Sequence, residues 1–208
     1  MNRTTRARDV QTTLGLEIFN VSYNIVEGIL ALTLGIAAAS LSLEAFGLDS
    51  IIEVTASAIL IWRLQVERRG GDAEHIERVE QRAEKFVGIT LLALAAYVSL
   101  LAAYTLFTRQ APGTSVWGIG LAIASLIVMP MLARWKLRLA DRIESRALRA
   151  DAFETIACAY LSGTLLIGLA ANYFFGWWWA DPIAALVMVY FIVREAREAL
   201  TGDHCAND

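Results

Sequence analysis

The chain has 208 residues, of which 57% are hydrophobic, with a mean hydropathy of +0.50 and only three prolines. Soluble domains hold about 45–50% apolar residues, so an excess gathered in long blocks argues against a soluble domain and for an integral membrane bundle. The net charge of −3 gives no footing for a nucleic-acid partner, and two cysteines, Cys158 and Cys205, are too few for a disulfide framework.

Hydropathy divides the chain into six predicted spans, at about 14–36, 43–64, 86–107, 115–133, 150–172 and 178–199. The N-terminus has the basic start of a secretion signal. Its apolar part is interrupted by Glu17, Asn20, Asn24 and Glu27, so it is read as the first span. The third span carries no charge, and its Ala95, Ala96, Ala102 and Ala103 form a candidate contact for a second copy. The fourth has Pro130 near its predicted end. The sixth opens with Trp177, Trp178 and Trp179, which suit a membrane interface. The connection 134–149 reads as a basic helical extension of its neighbours, and 65–85 holds Gly70-Gly71 followed by an acid-rich helical pattern.

Of the 18 lysines and arginines, all but Arg109 fall on one side of a six-span layout. The positive-inside rule then puts both termini in the cytoplasm.

The chemistry concentrates in the second and fifth spans. The stretch LSLEAFGLDSIIEVTASAILIW is long enough to cross a bilayer, yet it carries Glu44, Asp49 and Glu53. A carboxylate at mid-membrane costs roughly 2.5–3.5 kcal/mol, so it needs a partner or a wet cavity. Asp49 and Glu53, four residues apart, share a helix face and repel each other unless a proton or cation lies between them. In the fifth span Glu154 and Cys158 repeat that spacing. Glu53 and Cys158 stand at matching depths, about 16 and 15 Å from the inner end. Asp49, Glu53, Glu154 and Cys158 thus form a candidate four-ligand metal site. The thiolate favours zinc or cadmium over harder ions. Ligands that bind deprotonated suggest proton exchange as the coupling. For Cys158 the competing reading is a small core hydrophobe.

Other residues carry weaker signals. Asn20, Asn24 and Glu27 share one face of the first span, to line a cavity or to hydrogen-bond between helices. Asp72 and His75 are a candidate accessory metal pair, against a plain solvated helix. His204 and Cys205 make a loose pair in the tail. Asp151 sits near the inner entrance, to guide cations or simply to be hydrated. Asp181 before Pro182 reads as the N-cap of the sixth helix.

Three segments, GLDSIIE, ADAFETIACAYLSG and WADPIAAL, resemble the second, fifth and sixth membrane helices of the cation diffusion facilitator family. The likeness runs from about Leu14 to Leu200. It implies a metal-binding acid pair at Asp49 and Glu53, with Glu for the usual Asp. It also places Glu154 and Cys158 where the family has His or Asp followed by Asp. Most members carry a cytoplasmic dimerisation domain after the sixth helix; only TGDHCAND follows here, so a member with the membrane domain alone is expected.

The expectations are therefore specific. The fold is an all-α membrane protein, a six-transmembrane-helix bundle in a single domain 1–208, multi-pass in the inner membrane. Its function is proton-coupled efflux of a divalent metal, zinc or cadmium, by alternating access in a homodimer. No cofactor is expected beyond the transported metal. It is not an enzyme, since no nucleophile–base pairing is visible and both histidines lie outside the spans. The alternative is a non-transporting metal-sensing or scaffolding subunit of the membrane.

Overall fold

The structure, a computed structural model, describes residues 3–68, 73–110, 112–143 and 145–201. Among them are six helices and no strand: α1 Arg3–Ala38, α2 Leu41–Arg68, α3 Ala73–Thr108, α4 Val116–Ile143, α5 Arg146–Phe175 and α6 Ala180–Thr201. All but α6 are long and apolar enough to cross a membrane. The last turns of α6 hold Arg194, Glu195, Arg197 and Glu198, which dilute its apolar character.

The predicted spans map one to one onto these helices, but all except α6 are longer, α1, α3 and α4 by the most. Continuation of α4 to Ile143 moves Pro130 from the expected end of a span to the middle of a helix. There it deletes one backbone hydrogen bond and favours a kink, which membrane helices tolerate when neighbours cover the freed carbonyl.

Short, specific signals end the helices. Ser145 caps α5 by accepting from the Leu148 amide at 3.3 Å. Gly176, with φ of 66°, closes the other end in the left-handed conformation that glycine adopts freely. Between α1 and α2 the chain reverses through Ala39, whose φ of 49° is left-handed without that freedom.

Asp181 corrects an expectation. It lies inside the first turn of α6, and its carboxylate caps a different helix. It accepts from the Ser40 and Ser42 hydroxyls and from the Leu41 amide at 2.9 Å, all at the start of α2. The helices alternate in direction, so the starts of α2 and α6 meet at one end of the bundle.

Helix α1 packs against α2 and α4, α4 against α5, and α3 against α6, while α2 and α5 meet in the interior. Glycines allow the closest of these approaches. A Cβ on Gly47 would stand 2.9 Å from the Leu32 amide nitrogen, and one on Gly35 would stand 2.9 Å from that of Glu44. Small residues are how membrane helices bring their backbones together. Of the four α3 alanines expected at a partner surface, Ala95 and Ala102 are instead buried within this bundle; Ala96 and Ala103 face outward.

Candidate metal centre

The antiparallel pairing of α1 with α2 sets the interior. It places Asn20 beside Ser57, with the amide donating to the hydroxyl at 3.1 Å. One turn on, Asn24 comes against Glu53. A further turn on, Ser50 donates to the Glu27 carboxylate at 3.3 Å. Asn20, Asn24 and Glu27 are all buried, so the polar face of α1 looks into the bundle. That orientation follows from solvation: lipid has no donors or acceptors to offer, and α2 has.

Asp49, Glu53 and Cys158 are 6%, 7% and 2% exposed, and Glu154 is half-buried. Glu53 is the hub of the group. It accepts from the Thr155 hydroxyl at 3.5 Å, and the Cys158 thiol approaches it from α5. Glu154 feels the charges of both Glu53 and Asp49. The two predicted ligand pairs are therefore neighbours across the contact of α2 with α5. They do not close into a coordination sphere: among the described residues no three Cys, His, Asp or Glu side chains converge on one point. Buried oxygens without hydrogen-bond partners also face this interior, namely Asn24 Oδ1 and Glu27 Oε1. Buried polar atoms are nearly always satisfied, so these orphans single out the interior between α1 and α2.

A cavity of about 230 Å³ opens beside the group, between α5 and α6. Its wall includes Glu154, Glu195, Glu198 and the stacked rings of Tyr160 and Phe191, whose centroids are 5.8 Å apart. Asp72 lies outside the described residues, as do His204, Cys205 and the His75 side chain, so neither peripheral pair has a described geometry.

Three residues of this interior were missed in the sequence. Glu195 lies close enough to interact with Asp49, Glu154 and Glu53. Lys136, one of the basic residues of the connection 134–149, is 0% exposed, and its ammonium pairs with Glu17 Oε2 at 3.3 Å and with Asp151. A signal existed for each. Lys136 continues the buried stripe Met129, Leu132, Ala133, Leu139, Ala140 and Ile143. Glu195 adjoins the stripe of Met188, Ile192 and Ala196, and Glu17 extends the face of Asn20, Asn24 and Glu27.

A bundle whose charge is gathered inside, at membrane depth, is built to handle ions. The cation efflux transmembrane domain profile matches residues 18–201, and the chain belongs to that family, whose members are transporters and not enzymes. It is 27% identical over 192 residues to the uncharacterized transporter MJ0449 of Methanocaldococcus jannaschii, covering 91% of this chain and 66% of that protein. It is 26% identical over 167 residues to the cation-efflux pump FieF of Yersinia enterocolitica, covering 76% and 53% respectively. The manganese efflux system protein MneS of Bacillus subtilis is 23% identical over 182 residues, covering 86% and 62%. The chain thus spans between about half and two thirds of the length of these relatives.

Proposed function

We propose that this chain exports a divalent metal ion, zinc or cadmium foremost, in exchange for protons. The observation that carries the reading is the buried group itself. Asp49 and Glu53 on α2 stand opposite Glu154 and Cys158 on α5, in helices long enough to span a membrane. A divalent cation relieves the repulsion among such carboxylates. Three carboxylates and a thiolate suit a four-coordinate ion of intermediate softness. Binding to deprotonated ligands releases protons, which supplies the exchange.

Transport follows from alternating access: the ion binds at membrane depth from one side and leaves by the other as the helices rock. In this reading α6 is the sixth span, both termini are cytoplasmic, and the protein works as a homodimer in the inner membrane. The open spacing of the ligands belongs to a conformation before closure around the ion. The name of the relative MneS makes manganese the competing substrate to include.

Purified protein reconstituted into liposomes tests the proposal. Zinc or cadmium should move down an imposed gradient and drive counterflow of protons, and Asp49→Ala should stop both. A protein that binds zinc yet moves no ion would instead be a metal-sensing or scaffolding subunit. Flux of manganese alone would overturn the assignment of the metal.

A further inference from the structure

We propose that Lys136 is a tethered cation that closes the path to the candidate metal site from one end of the bundle, with Glu17 and Asp151 as its anchors. This rests on the reading of the chain as a cation carrier. The Lys136 ammonium donates to Asp151 Oδ2 and, at 3.1 Å, to Thr155 Oγ1, both on α5, and it pairs by charge with Glu17 Oε2 on α1 at 3.3 Å. The second oxygen of Asp151 accepts from Ser57 of α2 at 3.2 Å, and Ser57 accepts in turn from Asn20 of α1. One side chain from α4 therefore ties together four helices through charged and polar contacts.

Packing alone gives no reason for this cluster. A buried ion pair is often no more stable than a well-packed apolar replacement, because desolvation offsets the attraction. Position gives a reason. Asp151 precedes Glu154 by three residues on α5, about 4.5 Å along the axis. Ser57 follows Glu53 by one turn on α2. Both displacements point toward the bundle end that bears the start of α1 and the end of α6. The Lys136 layer thus lies between that end and the Asp49, Glu53, Glu154 and Cys158 group. Thr155 bridges the two layers, touching Lys136 at 3.1 Å and Glu53 at 3.5 Å.

A metal ion arriving from that end meets a fixed positive charge seated on the two acids that would otherwise attract it. While the ammonium holds them, the path is closed by repulsion and by the suture of α1, α4 and α5. Once it swings away, Glu17 and Asp151 become an acidic step leading to Glu53. The same three charges thus serve a closed and an open state, and Lys136 acts as a positioning residue through its partners, with no contact to the transported ion.

Thiol accessibility reads this directly and does not require transport. In a Cys205→Ser background, Cys158 is the single thiol. A water-soluble cationic methanethiosulfonate is applied to the face bearing the termini, in proteoliposomes of known orientation. Lys136→Met should raise the rate of Cys158 modification roughly tenfold by shifting the population toward the open state. Lys136→Arg should keep the slow rate of the parent. Because Lys136→Met leaves two acids unpaired, Lys136→Met/Asp151→Asn is measured alongside and should also be fast. Equal rates in parent and folded variants would overturn the proposal. So would failure of both variants to assemble as monodisperse protein, which would make the cluster purely structural. Faster labelling in a protein that moves no metal would retain the gate and remove only the transport reading.

Discussion

The carboxylate of Asp181, at the start of α6, accepts a hydrogen bond from the Ser42 hydroxyl at 2.5 Å and thereby closes the start of α2, 139 residues earlier in the chain. It satisfies the Leu41 amide as well, one of the donors a helix leaves unpaired at its first turn. Asp181→Ala should lower stability in detergent by about 1–2 kcal/mol. Asp181→Asn should lower it less, because one acceptor oxygen survives. Thermal unfolding followed by circular dichroism measures both, and an unchanged midpoint for the alanine variant would contradict the role.

The turn between α1 and α2 offers the opposite experiment. Ala39 holds a φ of 49°, where a Cβ crowds the following carbonyl. Ala39→Gly should stabilise the protein by about 0.5–1 kcal/mol, the left-handed penalty less the extra freedom of glycine in the unfolded chain. A higher unfolding midpoint is the expected result.

Gly47 sets the approach of α1 to α2. Gly47→Ala would force a Cβ to within 2.9 Å of the Leu32 amide nitrogen, a backbone atom that cannot turn aside. The helices must separate, at a cost of about 1–3 kcal/mol. The same interface brings Asn24 beside Glu53, so zinc affinity should fall too. Titration calorimetry that finds weakened stability with intact zinc affinity would mean that the α1–α2 spacing does not support the metal group.

The proposed role of Cys158 as a ligand is tested through metal preference. If the thiol is a ligand, Cys158→Ser should weaken binding of cadmium more than that of zinc, since the softer ion gains more from sulfur. Cys158→Asp should restore an oxygen ligand and move preference toward harder ions. Uptake by inverted vesicles reads the cadmium-to-zinc ratio; an unchanged ratio in Cys158→Ser would assign the thiol to packing, and Asp49→Ala should still abolish uptake.

Orientation is tested with reporters fused to the two ends. The distribution of basic residues around the spans predicts that both report the cytoplasm. Lys136 contributes nothing to that bias, because it is buried and neutralised within the bundle. Its loss should leave the reporters unmoved, whereas an outward-facing terminus in the parent would overturn the orientation.

The helical architecture was legible before any coordinates. Runs of apolar residues longer than a bilayer is thick have few alternatives, and the α-helix satisfies the backbone of each run by itself. Asp49, Glu53, Glu154 and Cys158 stood out for the same reason, since an ionisable group in such a run is costly unless it has work to do. The polar face of α1 was legible too, although its partner was not. Nothing in one helix says which neighbour answers its amides, and Ser57 and Ser50 are unremarkable serines until α2 is laid antiparallel to α1.

What the sequence by itself determined was local: where helices run, which faces are polar, and which acids stand alone in lipid-length segments. Each depends on residues within a few turns of one another. The tertiary structure alone decided that Lys136 lies inside rather than among the hydrated arginines beside it. It also decided that Asp181 serves α2 rather than its own helix, and that Glu195 joins the acids of α2 and α5. The physical reason is common to all three. A charge goes where its desolvation is offset, and the groups that offset it come from helices distant in the chain, so its place is settled only when those helices pack.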